Sequence, residues 1–225
     1  MKITERKTEE NGRMYALRIL RDNIISNRLQ PGTLLSEKEI ADKLQISRTP
    51  VREAIIELAR NGVIEVLPQR GSRVSLIDME RVDESSFFRR TMEVAIAKLA
   101  CEMATPEDLA MLADQVKLQE FYLENITSDN MILMDDNFHK LLFQICNKMY
   151  CYEMVQSMAI YLDRIRSLSV GPSTNSHVVS DHRNIYEAIL NRNPEEAERA
   201  VMRHLTRYRV DEKGIKEKYP EYFRD

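Results

Sequence analysis

The sequence predicts a mostly α chain in which three helices and a β-hairpin precede an all-helical bundle. Three observations predict it. Residue character changes near Ser75: the β-branched runs and most of the turn chemistry come before it, and long helix-period segments come after it. Two short amphipathic helices joined by a tight turn span Ser36 to Leu58, immediately upstream of the hairpin pattern. Helix punctuation then recurs at Thr105-Pro106, Gly171-Pro172 and Asn193-Pro194. The expected partition is a front domain over 1–75, a linker over 76–81, a helical domain over 82–210 and a charged tail over 211–225.

The first helix is expected from about Arg13 to Asn27, with Tyr15, Ile19 and Ile25 among its apolar positions, ending before Pro31-Gly32. Ser36 is placed to cap a second helix whose inner face is Ile40 and Leu44, with Ala41 small enough for a close crossing. After Gln45-Ile46, Ser47 is placed to cap a third with Val51, Ala54, Ile55 and Leu58 inward. Pro50 falls in its first turn, where a missing N–H costs little. VIEVLPQRGSRVSLI then reads as two β-branched runs around a Pro- and Gly-containing turn, a hairpin. Helix, turn, helix and hairpin in this order make a winged helix-turn-helix.

Six helices are expected beyond Glu80, at Val82–Met103, Pro106–Asn125, Asp129–Cys146, Tyr150–Leu168, Ser176–Leu190 and Pro194–Val210. Asn193, Pro194 and Glu196 supply cap, first position and third position for the last of them. No strand pattern or internal repeat is visible in this half.

Bulk properties narrow the function. A chain of 225 residues holds one or two domains, each large enough for its own core. No apolar run is long enough to cross a bilayer, and the opening MKITERKTEENGR lacks a signal peptide's apolar segment. Three cysteines, Cys101, Cys146 and Cys151, fit neither a disulfide framework nor a zinc finger. A cytoplasmic protein without membrane contact is therefore expected. The net charge of −3 conceals an asymmetry: 14 Lys and Arg against 10 Asp and Glu up to Ser75, then 19 against 26. Any nucleic-acid contact belongs at the front.

Arg48 and Arg52 are four apart, so they share one face near the N-terminus of the third helix, with Thr49 beside them. Arg is well matched to guanine edges and phosphates, and a helix N-terminus adds its own attraction for phosphate. Arg70, Gly71 and Arg73 give the hairpin a basic tip. The stretch LSEKEIADKLQISRTPVREAIIELARNGVIEVLPQRGSRV resembles the DNA-binding domain of the GntR superfamily nearly end to end. The resemblance implies that Lys38, Arg48, Thr49 and Arg52 contact DNA and that the Arg70–Arg73 turn is the wing. Gln45 departs from it, standing where the family usually has Gly in the turn; a non-Gly residue at positive φ there costs on the order of 1 kcal/mol.

Three of the four histidines fall on apolar stripes. Asp135 and His139 lie in the series Met131, Asp135, His139, Leu142, Cys146; His182 aligns with Val178, Ile185 and Ile189; His204 aligns with Ala200, Val201 and Tyr208. His177, near a polar helix start, is expected to be exposed. Inward polar groups are costly unless they pair or bind something. Spacing leaves two readings open: a mononuclear metal site of mixed N and O ligands, or a hydrogen-bonded Asp–His pair with ordinary core histidines. Arg89, four before Glu93 and on a face with Met92 and Ile96, either points inward to grip a carboxylate or forms an exposed pair with Glu93. Nothing in their spacing singles out Arg164 or Arg166 for that role.

RRTMEVAIAKLA from Arg89, DDNFHKLLFQICN from Asp135, DHRNIYEAI from Asp181 and AERAVMRHL up to Leu205 resemble the FCD ligand-binding domain of FadR-like GntR regulators. That resemblance implies a divalent metal (Zn, Ni, Mn or Fe) on Asp135, His139, His182 and His204, and an organic-acid effector beside it, with Arg89 as an effector ligand. It also implies a homodimer acting on a palindromic double-stranded DNA operator. The expected function is ligand-responsive transcription regulation without enzymatic activity. The alternatives are a metal-dependent enzyme with an appended DNA-binding module, in which the same residues activate water, and a regulator with a purely structural metal.

Overall fold

The computed structural model describes residues 1–123, 128–168 and 172–224, the side chains of 128–132, 172–175 and 208–211 excepted. The chain forms two compact units. One holds Met1–Val82, Ile160–Leu168 and Gly214–Asp225; the other holds Asp83–Ala159 and Ser169–Lys213.

The first unit opens on α1 (Gly12–Ile25), capped by Asn11, whose side chain accepts from Met14 N–H at 2.9 Å. Its buried face of Ala16, Ile19, Leu20 and Ile24 meets Val51, Ala54, Ile55 and Leu58 of α3 (Arg48–Arg60) in one core. Between them lie the two-residue strand β1 (Leu34–Leu35) and α2 (Glu37–Leu44), whose Ser36 cap accepts from Glu39 N–H at 3.3 Å. α2 ends on Gln45 in the left-handed conformation (φ 55°, ψ 42°), and Ile46 N–H closes the turn onto Ala41 O at 3.2 Å. Ser47 has the extended backbone of an N-cap, but its side chain makes no capping hydrogen bond.

The hairpin is β2 (Ile64–Leu67) and β3 (Gly71–Val74), antiparallel, with Leu67 opposite Gly71. β1 adds to the other edge of β3, giving the order β1-β3-β2. β1 was not expected from sequence, since two residues are too few to show alternation.

The unit is completed from distant sequence. Arg164, in the last part of α7 (Met149–Leu168), is buried and donates through Nη2 to Ser75 O at 2.6 Å. Asn27 Nδ2 donates to Arg164 O at 3.1 Å. Ile77 is 1% exposed, donating to Tyr222 O and accepting from Arg224 N–H. The segments read as linker and charged tail thus take part in packing: α10 (Tyr208–Lys218) and a 3₁₀ turn (Pro220–Tyr222) carry the buried Ile215 and Tyr222. Pairing between residues about 145 positions apart leaves no local pattern to read.

The second unit is helical throughout its described residues. It contains most of α4 (Met79–Met103), α5 (Pro106–Leu123), α6 (Ser128–Ile145), the first part of α7, α8 (Pro172–Leu190) and α9 (Pro194–Thr206). Its core joins Ile96, Ala100, Leu112, Phe138, Leu142, Ile185 and Val201. Asn193 caps α9 by accepting from Glu196 N–H at 3.0 Å, with Pro194 in the first turn. The expected last helix is divided, since α9 ends at Thr206 and α10 begins at Tyr208. Gly171, Asn125 and the side chains of Met131 and Tyr208 lie outside the described residues. No helix among the described residues is long and apolar enough to cross a membrane.

The left-handed Gln45 carries a Cβ where Gly would carry none. Gln45→Gly is expected to raise stability by about 0.5–1 kcal/mol, the relieved strain being partly offset by the freer unfolded chain. A urea midpoint that rises at unchanged slope would show it; a fall would mean that the Gln45 side chain contributes more than its backbone costs.

Candidate metal centre and nucleic-acid interface

Three helices bring one polar centre into the apolar bundle. α6 supplies Asp135 and His139, one turn apart; α8 supplies His182 and α9 supplies His204. All four are 6% exposed or less, and one ligand-type atom from each lies within 4.8 Å of the others. Asp135 Oδ1 is 3.8 Å from His139 Nε2, 3.3 Å from His182 Nε2 and 3.2 Å from His204 Nε2. The Nε2 atoms of His139 and His204 are 2.9 Å apart.

The opposite edge of each imidazole meets an acceptor. His139 Nδ1 is 2.6 Å from Glu93 Oε2 of α4, and His182 Nδ1 is 2.7 Å from Gln119 Oε1 of α5. His204 Nδ1 is 3.8 Å from Asp181 Oδ2, and Asp181 is gripped by Arg203 and Arg207. Phe138 stacks on the His182 ring at 4.2 Å and fixes its plane. Arg89 is buried, donating through Nε to Glu93 Oε1 at 2.6 Å, with Nη2 3.6 Å from Asp135 Oδ2. Both sequence readings of Arg89 therefore hold in part: it points inward, and it is paired with Glu93.

The electrostatics follow from burial and these pairings. Burial pushes His182 down to about 3, outweighing Asp135, and also lowers His139 despite Glu93. His204 goes the other way, because Asp135 and Asp181 together overcome burial. Burial would raise Glu93, but Arg89 and His139 draw it down to about 2. Asp181 is lowered against burial by Arg207 and His204.

These residues fit a divalent cation. The Nε2 atoms of His139 and His204, 2.9 Å apart, can share a proton in a hydrogen bond when no ion is bound, or both turn lone pairs to a cation. His182 Nε2 is buried with no hydrogen-bond partner among the described residues. An ion with ligand bonds of ~2.1 Å spaces tetrahedral donors about 3.4 Å apart, close to the Asp135–imidazole separations. Three imidazoles and a carboxylate suit the later first-row metals and Mn alike. His177 is exposed and apart from the cluster. Arg164 and Arg166 belong to the first unit, Arg166 pairing with Asp163 at 3.1 Å. Sequence reasoning missed Gln119 and Asp181, and took Glu93 only as a partner for Arg89. A glutamine at a mid-helix position carries no signal; Asp181 sits beside His182 in sequence but reaches His204 in space.

In the first unit, Lys38 of α2 and Arg48, Thr49 and Arg52 of α3 are all exposed, while Val51, Ala54 and Ile55 point inward. Arg70 and Gly71, at the hairpin tip, are exposed as well. Lys38, Arg48, Arg52 and Arg70 form no ion pair among the described residues. Arg73 differs: it faces Glu65 across the strands and pairs with it at 2.6 Å. The arrangement offers a helix N-terminus flanked by two arginines and, beyond it, a basic hairpin tip.

Comparison with known proteins agrees with both halves. Residues 16–74 match the family described as bacterial regulatory proteins, gntR family, and residues 84–207 match the FCD domain. The chain is 35% identical over 207 residues to the HTH-type transcriptional repressor RspR of Escherichia coli (strain K12), covering 92% of this chain and 91% of that one. It is 30% identical over 205 residues to an uncharacterized HTH-type transcriptional regulator in an unstable DNA locus of Streptomyces ambofaciens, covering 91% and 86%. The fold is similar to that of E. coli McbR/YncC, with a TM-score of 0.77 at 20% identity over 93% of this chain and 99% of that one. A GntR protein from Rhodococcus sp. RHA1 gives 0.70 at 24% identity over 92% and 98%. The chain belongs to the GntR family of bacterial regulatory proteins: it is a DNA-binding transcriptional regulator whose helical part is an FCD domain.

Proposed function

We propose that this regulator binds its operator as a homodimer and adjusts its DNA affinity to a small carboxylate effector held beside a divalent metal in the helical unit. The observation that carries the reading is the convergence of three imidazole Nε2 atoms on one carboxylate oxygen in a buried site, each ring having an acceptor near its other nitrogen. Asp135, His139, His182 and His204 would hold the ion, with Zn, Ni, Mn and Fe compatible. A metal there would supply positive charge, and an ion that takes more than these four ligands would accept an anionic oxygen as well. Arg89, 3.6 Å from Asp135 Oδ2, is the bundle cation that such an effector would meet. Its pairing with Glu93 means that Arg89→Ala also strips a buried carboxylate of its counter-charge, so the variant disturbs His139 as well as the effector.

The same geometry disfavours the enzyme alternative. Glu93, 2.6 Å from His139 Nδ1, is already paired with Arg89 and so is poorly placed to serve as a general base. Regulators among the relatives point the same way.

Lys38, Arg48, Thr49, Arg52, Arg70 and Gly71 form the proposed DNA face, with Arg73 shaping the wing through Glu65. Two such faces in a dimer would read a palindromic operator, each half-site gaining affinity from the other.

The direct test measures operator affinity of metal-loaded protein across a series of small carboxylic acids. A change confined to some acids, and lost in His204→Ala, supports the reading; affinity blind to every acid leaves only the structural-metal alternative. In metal analysis, His139→Ala and His204→Ala should each fall well below one equivalent and lose the rise in Tm that the ion gives wild type, while His177→Ala matches wild type. Wild-type protein free of metal, and with a Tm unmoved by these ions, would sink the site.

On the DNA side, Arg48→Ala and Arg52→Ala should each weaken specific binding by about 1–3 kcal/mol, and Lys38→Ala should flatten the salt dependence by about one phosphate contact. Arg73→Ala should cost less than either arginine of α3. Operator titrations at matched salt decide, and wild-type affinity in both α3 variants would remove α3 as the reader. Sedimentation of the full chain should give twice the 26.3 kDa chain mass at micromolar concentration, and a monomer would contradict the dimer.

A further inference from the structure

The acceptor beside His182 differs in kind from the carboxylates beside the other two imidazoles. Gln119 is 1% exposed, and both ends of its amide are engaged. Nε2 donates to the carbonyl oxygen of Met134 at 3.2 Å, and Oε1 lies 2.7 Å from His182 Nδ1. A carbonyl oxygen only accepts, so the Met134 bond decides which end of the amide faces the histidine. Turning the amide over would set Gln119 Oε1 against Met134 O, two acceptors in contact. With an acceptor fixed at 2.7 Å, His182 Nδ1 has to carry a proton. A neutral imidazole has one N–H, so Nε2 keeps its lone pair. That is the nitrogen 3.3 Å from Asp135 Oδ1 with no hydrogen-bond partner among the described residues.

We propose that Gln119 is a positioning residue: the relay from Met134 O through the Gln119 amide presets His182 as the Nδ1–H tautomer and aims its Nε2 lone pair at the cation. Phe138, stacked on the ring, sets its plane, and Gln119 sets which nitrogen faces inward. Glu93 and Asp181 lie near the Nδ1 atoms of His139 and His204 as anions, each balanced by arginine, but neither imidazole nitrogen makes a hydrogen bond comparable to that between His182 and Gln119. An amide orients His182 without adding another buried negative charge to Asp135, Glu93 and Asp181.

This inference rests on the metal reading, and the experiment separates the two. Full-length wild type, Gln119→Leu and Gln119→Glu are compared for Zn²⁺ affinity against a competing chelator. Long-range ¹H–¹⁵N spectra of the metal-free proteins report which imidazole nitrogen is protonated. Wild type should show His182 as Nδ1–H; Gln119→Leu should lose that preference and bind Zn²⁺ about 10–100-fold more weakly; Gln119→Glu, which matches the amide only with its carboxyl protonated toward Met134 O, should restore both at a pH low enough to keep that carboxyl neutral. The proposal fails if wild-type His182 is protonated at Nε2, or if Gln119→Leu binds Zn²⁺ within about two-fold of wild type. Wild type that takes up no Zn²⁺ sinks the metal reading, and the tautomer spectra then judge Gln119 alone. Should Gln119→Leu fail to fold, the wild-type tautomer and the Gln119→Glu affinity still decide.

Discussion

The helical unit is organised by the cost of placing charge inside it. An ionised side chain taken out of water loses several kcal/mol of solvation, and that loss is recovered only by well-placed partners. Here five helices contribute to one solution: α4 with Arg89 and Glu93, α5 with Gln119, α6 with Asp135 and His139, α8 with Asp181 and His182, and α9 with His204. Apolar packing tolerates small slides of one helix over another. A set of contacts between 2.6 and 3.8 Å tolerates far less. The polar centre therefore fixes a register that the surrounding Leu, Ile and Phe core would leave looser.

The reading unit is built on a different principle. Its core is almost wholly apolar, and the exposure of Arg48 and Arg52 follows from Val51, Ala54 and Ile55 taking the inward positions of the same helix. Non-glycine residues with left-handed backbone stand at three joints of this unit: Asn27 after α1, Gln45 between α2 and α3, and Gln69 in the hairpin turn. The wing has an internal balance of its own, with Glu65 opposing Arg73 while Arg70 at the tip faces solvent.

Much of this was legible beforehand because the relevant signals are local. Helical periodicity put Asp135, His139, His182 and His204 on inward faces, and Pro with Asn or Thr marked where α5 and α9 begin. Positive φ at Gln45 followed from a turn position usually held by Gly. Three kinds of feature were not legible. The pairing of β1 with β3 adds two residues to an edge, below the length at which alternation exists. The bond between Ile77 and Tyr222 depends on chain closure across most of the sequence. The acceptors behind the imidazoles are specified by distance alone, and Gln119 has the composition of any surface helix position until Met134 and His182 are seen on either side of it.

Helix α7 has a further consequence. Its residues to Ala159 count with the helical unit and those from Ile160 with the reading unit, where Ile160 joins the apolar core and Arg164 holds Ser75 O. The reading unit is thus discontinuous in the gene, assembled from a first stretch, a middle stretch and the C-terminal residues. A cut after Val82 would keep α1, α2, α3 and the hairpin but take Ile160 from their core and leave Ser75 O without Arg164.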